Sequence, residues 1–234
     1  MIEEENFETY LSISPKKFEI FLFDKKNLKS LYKNKLELEN EIDLLNLDNL
    51  SNFLDANIFK IEKLADNFIK NIVLIIDSDK NSYINICIKK KNYENLINYK
   101  NLEIALTETK DLFKENYQKQ NIMHMIVENY SINGKNYSSF INDIKGDYLS
   151  LEVNFISIPN NFELILDKIL EKYQIKIDKF LDCKYLIEQS KDNKFELPNI
   201  ANKIINGYNQ NEVILVPKNP KNKGFFENFF QLFS

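Results

Sequence analysis

Residues 148–158 read Tyr-Leu-Ser-Leu-Glu-Val-Asn-Phe-Ile-Ser-Ile, with Leu149, Leu151, Val153, Phe155 and Ser157 alternating against Ser150, Glu152, Asn154 and Ile156. A period of two sends alternate side chains to opposite faces, the geometry of a β-strand with one face in a core. The residues before it supply the rest of a unit. Tyr83-Ile84-Asn85-Ile86-Cys87-Ile88 is apolar and β-branched, as a strand requires. Leu102, Ala105, Leu106, Thr109, Phe113 and Tyr117 fall three or four apart, the spacing of a helix over residues 102–117. Ile122-Met123-His124-Met125-Ile126-Val127 is a second strand, and Asn133-Gly134 is a turn signal before the third. Residues 82–159 thus read strand, helix, strand, strand.

This unit interrupts an α/β pattern. Residues 7–14 alternate as a strand, Pro15-Lys16-Lys17 is a turn, residues 18–23 are a second strand and residues 28–38 contain a third. Links this short cannot make parallel crossovers, so an antiparallel meander is expected. Leu47, Leu50, Phe53 and Leu54, then Phe59, Leu64 and Phe68, have helical spacing. They predict one or two helices over residues 44–69, with Ser51 able to cap the second. Ile72-Val73-Leu74-Ile75-Ile76 is the continuous apolar run of a strand covered on both faces.

The pattern resumes after the unit. Asn160 or Asn161 is expected to cap a helix whose Phe162, Leu164, Ile165, Ile169, Leu170 and Tyr173 face inward. Residues 179–186 read as a strand, and residues 197–205 as a short helix stopped by Gly207. Val213-Ile214-Leu215-Val216 is expected as a final edge strand. The expected organisation is one domain from residues 1–81 and 160–216, an inserted module over 82–159, a linker over 217–223 and a terminal helix over 224–234.

Charge and residue usage narrow the functions. The net charge of −4 lacks the basic balance of a dedicated nucleic-acid binder. The chain has no arginine, so any anion must be held by lysine or by backbone amides. Cys87 and Cys183 stand in apolar stretches without metal spacing, and His124 is the one histidine, so no metal site is expected. Both cysteines read as buried free thiols in a reducing compartment. His124 lies between Met123 and Met125 with no nucleophile or orienting group in the sequence around it, and reads as structural. The four glycines, Gly134, Gly146, Gly207 and Gly224, form no phosphate cradle. No catalytic, cofactor-binding or metal-binding residue and no small-molecule substrate is therefore expected. Glu3-Glu4-Glu5 is not a secretory leader, and no apolar run reaches the roughly 20 residues of a membrane span. Lys89-Lys90-Lys91 is placed to protect a strand edge.

The C-terminus carries the sharpest functional signal. Phe225, Phe226, Phe229, Phe230, Leu232 and Phe233 would share one face of a helix, with Glu227, Asn228 and Gln231 on the other. Lys218, Lys221 and Lys223 precede it. Eleven residues make a helix about 16 Å long, too short to span a bilayer but suited to lie in its interface. These nine residues, six apolar and three basic, are the expected membrane-binding set. Docking of the aromatics into the protein's own core or a dimer interface is the rival reading.

Several segments resemble FtsA, the actin-like family that tethers the bacterial division ring to the membrane. Residues 122–132 look like its "LHVIPQEYxID" strand, and Asn160-Asn161 through Phe180 look like its "ND…ERCGLKVDQLIFAGL". Leu11-Ser12-Ile13-Ser14-Pro15-Lys16-Lys17 stands where that family has the phosphate loop "LDIGTSK", but its aspartate and glycine are replaced, and no second loop of the "DxGGT" kind occurs. The resemblance implies an α/β (α+β) fold: a partial actin-like, ribonuclease-H-like lobe with an inserted strand-helix-strand-strand (SHS2, or 1C-like) module and a C-terminal amphipathic helix, the second lobe missing. It implies a non-enzymatic, peripheral adaptor on the cytoplasmic face of the inner membrane. Its partners would be other division proteins and the membrane surface, with self-association possible and no bound ATP. An actin-like scaffold of type IV pilus or type II secretion assembly, a soluble dimeric interaction module and a small α/β enzyme are the alternatives.

Overall fold

The computed structural model describes residues 6–39, 41, 47–93, 95–190 and 196–214. The chain runs β1 (Phe7–Ser14), β2 (Lys17–Asp24), β3 (Lys29–Glu37), α1 (Asp48–Ala65) and β4 (Asn71–Ile76). It continues through β5 (Ser82–Lys91), β6 (Leu96–Ile97), α2 (Tyr99–Asn116), β7 (Gln120–Ile132), β8 (Lys135–Tyr137), β9 (Ile144–Lys145) and β10 (Tyr148–Pro159). It closes with α3 (Asn160–Glu171), β11 (Lys176–Asp182), α4 (Cys183–Gln189) and α5 (Leu197–Ile205). These elements form two compact units, one from the described residues of 6–81 and 158–206 and the other from those of 82–157 and 207–214.

The first unit holds a five-stranded sheet in the order β11-β4-β1-β2-β3. β1 pairs antiparallel with β2 and β2 with β3, while β4 lies parallel to both β1 and β11. One antiparallel strand, β2, in an otherwise parallel sheet of this order is the mixed α/β arrangement of an actin-like first lobe. Residues 72–76 are buried throughout, as their unbroken apolar run requires. Helices cover both faces. On one face Phe53 of α1 packs its ring 6.0 Å from that of Phe18. The fully buried Asn57 accepts hydrogen bonds from Tyr32 Oη (2.6 Å) and Asn34 Nδ2 (2.7 Å) and donates to the Phe53 carbonyl (2.6 Å). The register slips between Leu22 and Phe23, which turns Ser30 away from the face of Tyr32. On that opposite face Ser30 Oγ donates to Glu196, the N-cap residue of α5, at 2.6 Å.

The second unit holds a sheet in the order β5-β10-β7-β8, beside a two-stranded β6-β9 ladder. α2 covers it with Leu102, Ala105, Leu106, Thr109 and Phe113, the stripe expected from their spacing. Phe113 stacks on Phe155 with centroids 4.7 Å apart. Asn133 and Gly134 both have positive φ, 52° and 82°, the two-residue turn that suits a hairpin of right-twisted strands. Gly146 is required by a close approach: a Cβ there would stand 2.6 Å from Ile132 Cγ2 and 3.0 Å from Ile97 Cδ1.

Several sequence expectations are corrected. α1 is one helix without a side-chain cap, and Ser51 lies inside it. Neither Asn160 nor Asn161 caps α3, because Pro159 holds the N-cap position. Leu164 of that helix is exposed, and Phe162, Leu166 and Leu170 are its buried residues. Residues 183–186 are helical rather than extended, because the Asp182 carboxylate accepts from Tyr185 N at 2.7 Å and starts a helix there. Cys87 is exposed, because it lies on the outward side of an end strand. Of the expected last strand, Val213 and Ile214 form no strand, and Leu215 and Val216 lie outside the described residues. Glu212 bridges antiparallel to Ile126, Val213 N donates to the Met125 carbonyl (2.8 Å), and Val213 joins the core under α2. Residues 207–214 group with the second unit rather than with the first domain, whose expected span is 1–81 and 160–216.

Asn57→Ala leaves Tyr32, Asn34 and the Phe53 carbonyl without their shared partner. It is expected to lower unfolding stability by about 2–3 kcal/mol, read as a lower urea midpoint at unchanged m-value.

Candidate functional site

In sheets with parallel strands, ligands bind beyond the carboxyl ends of those strands. Here that edge is formed by the ends of β1, β4 and β11. β1 passes into β2 through the two-residue turn Pro15-Lys16, since Ser14 is already paired with Lys17. Across the turn Ser14 Oγ also donates to the Lys17 carbonyl at 3.1 Å. No residue from Ser12 to Lys17 has positive φ, so the backbone makes none of the concave amide nests that hold phosphate. A wider glycine loop would leave several N–H groups pointing outward; this turn uses its residues to start the next strand.

The side chains along the edge are mostly committed to one another. Lys17 Nζ lies 2.7 Å from the carboxylate of Glu19, which is nearly buried. Asp77 N donates to the Ile13 carbonyl at 2.9 Å, and Lys80 N donates to Ser78 Oγ at 3.0 Å. The fully buried Asp182 accepts from Asn81 Nδ2 at 2.7 Å through one oxygen and from Tyr185 N through the other. Asn81 Oδ1 is buried without a partner. Burial, then the negative charges of Asp77 and Asp182, push the Cys183 thiol up to about 12. Asp77 and Asp182 thus lie near enough to Cys183 for their charge to be felt there. Lys17 is paired with Glu19, and Asp182 is buried and hydrogen-bonded, so neither side chain is free to meet an incoming ligand. Among the described residues, no three histidine, cysteine or acidic side chains stand together as a metal site.

The opposite edge of the same sheet opens into a groove of about 1050 Å³, whose lining includes Glu8, Thr9, Lys25, Phe68, Lys70 and Asp178. Beside it the buried Tyr10 phenol donates to the Glu8 carboxylate. Burial, with the charge of Glu8 and its hydrogen bond, holds that phenol far above the usual tyrosine range, so it stays protonated. The groove mixes both signs of charge.

In the second unit, His124 is fully buried and its Nδ1 donates to Glu212 Oε1 at 2.7 Å. Its partner lies 88 positions along the chain, in the segment that closes the edge of β7, so no local signal points to it. The expected membrane-binding residues, Lys218, Lys221, Lys223, Phe225, Phe226, Phe229, Phe230, Leu232 and Phe233, lie outside the described residues, as does the linker. No helix among the described residues is long and apolar enough to cross a membrane.

No family model matches this chain, and no curated protein matches it. Solved structures do. The chain is similar to the cytoplasmic domain of EpsL, an inner-membrane component of the type II secretion system of Vibrio cholerae. That match has 7% identity, covers 80% of this chain and 60% of that one, and has a TM-score of 0.40. It is similar to the PilM–PilN type IV pilus biogenesis complex, at 9% identity, 78% and 49% coverage and a TM-score of 0.48. A Bacteroides thetaiotaomicron protein with an actin-like ATPase fold and unknown function matches at 16% identity, 82% and 62% coverage and a TM-score of 0.33. The chain spans about half to three-fifths of the length of these structures.

The edge chemistry is open to a direct check. A thiol with its pKa near 12 is thiolate to about one part in ten thousand at pH 8. Iodoacetamide at that pH is expected to add once to the native protein, at the exposed Cys87, and twice in denaturant, read by intact mass. Prompt double labelling of native protein would show that the edge around Cys183 opens in solution.

Proposed function

We propose that this chain is a non-enzymatic actin-like scaffold that works at a membrane surface without nucleotide. The second unit contacts protein partners, and the Phe-rich C-terminus holds the protein on the bilayer. The observation that carries the reading is the state of the strand-end edge. At the strand ends, where this kind of sheet binds ligands, Lys17 is paired with Glu19 and Asp182 with Asn81, which supports a reading without bound phosphate. The finer reading is an FtsA-like division adaptor on the cytoplasmic face of the inner membrane, with other division proteins as partners. It is supported by the resemblance of residues 122–132 and 160–180 and by the aromatic tail. A pilus or secretion scaffold on the same lobe is the alternative, and the proteins captured with the chain from its own cells separate the two.

Each inserted Phe contributes on the order of 1 kcal/mol and each lysine near anionic lipid about 1 kcal/mol, so a single tail binds weakly and reversibly. Co-sedimentation with vesicles is the test. The full chain is expected to pellet with anionic vesicles and less with neutral ones, and a chain ending at Lys223 is expected to stay in solution. Titration calorimetry with Mg-ATP is expected to give no heat of binding. Equal pelleting of both chains removes the anchor, and micromolar ATP binding removes the nucleotide-free reading.

A further inference from the structure

β5 is the end strand of its sheet. It pairs with β10, and among the described residues no strand pairs its other edge. Over its ten residues the first seven, Ser-Tyr-Ile-Asn-Ile-Cys-Ile, carry no charge, and three lysines follow. Proteins usually guard an open edge with charge along its length; here the guard sits at one end. Ile84, Ile86 and Ile88 pack against the core under α2 yet are only partly buried. α2 flanks the same edge, because Lys90 Nζ lies 2.6 and 2.7 Å from the two Glu108 carboxylate oxygens. Ile104 and Leu112, one turn before and after Glu108, are 44% and 39% exposed, and Tyr83 on the other face is 47% exposed. The open backbone edge therefore has apolar surface on both sides.

We propose that two copies of this chain pair through this edge, β5 against β5, antiparallel about a two-fold axis at Ile86. The uncharged stretch is its own complement. Ile86 faces the partner's Ile86 and Ile84 faces the partner's Ile88, so the helix-covered face continues apolar across the junction. On the outer face Asn85 meets the partner's Cys87, and Tyr83 meets the partner's Lys89. Lys89 already lies over an aromatic ring in its own unit, with Nζ 4.4 Å from the Tyr148 centroid, so a second ring extends an existing preference. The antiparallel sense also sends the two lysine triplets to opposite ends. A parallel pair would set lysine on lysine, which is unfavourable for directly opposed strand residues. The dimer is independent of the tail, although it would place two tails on one particle and so raise avidity.

Light scattering of the full chain over a concentration series is the test. A mass rising from monomer to dimer is expected. Tyr83→Lys sets a lysine opposite the partner's Lys89 twice per dimer and is expected to weaken association about tenfold relative to Tyr83→Glu, which sets opposite charges there. Both substitutions are at an exposed position, so folding is retained. Cys87 and the partner's Cys87 are diagonal neighbours about 7–8 Å apart, and a short bis-maleimide is expected to join them, located by peptide mapping. A monomer at every concentration up to about 100 μM overturns the proposal. So does a dimer that ignores both substitutions and yields no Cys87 cross-link.

Discussion

The parallel ladder β1-β4-β11 is the constraint from which the rest of the first unit follows. Parallel neighbours cannot be joined by a tight turn, so each step needs a crossover. The first crossover is α1. The second leaves the end of β4 and returns through α3, and the whole second unit is inserted along it. The chain departs at Asn81, and the Asn81 side chain is bonded to Asp182 at the end of β11. One buried hydrogen bond thus ties the root of the insertion to the last strand of the ladder. The same carboxylate starts α4 by capping Tyr185 N. Its burial is tolerable because both oxygens are occupied.

That arrangement bears on chemistry at the strand ends. An edge that binds phosphate needs free amide groups and uncommitted positive charge. This edge spends its backbone on a two-residue turn and pairs Lys17 with Glu19. The cluster is a packed end of a core.

The second unit is stabilised by different means. Its core is a single helix over one face, with Phe113 on Phe155 at the centre. Its loops are knitted by asparagine: Asn98 and Asn101 form the cap of α2, and Asn133 Oδ1 accepts from the amides of Asp147 and Tyr148. With few glycines available, asparagine supplies the positive-φ turn at residue 133 and the side-chain caps.

The sequence by itself determined the nature of most elements. The period of two in residues 148–158, the i, i+3, i+4 spacing of Leu102 to Phe113 and the apolar run at residues 72–76 are local patterns, and local backbone geometry reads them without reference to the rest of the chain. It also showed that the four glycines form no phosphate-loop pattern, because spacing needs no coordinates. Tertiary structure decided the pairings. The order β11-β4-β1-β2-β3, the Asn57 bonds to Tyr32 and Asn34, the His124–Glu212 pair and the exposure of Cys87 all depend on which distant segments close on one another. An asparagine or histidine has the same local signature whether it faces solvent or a buried partner. The choice is made by the long-range contacts that decide what is desolvated, and those arise only when the sheets assemble.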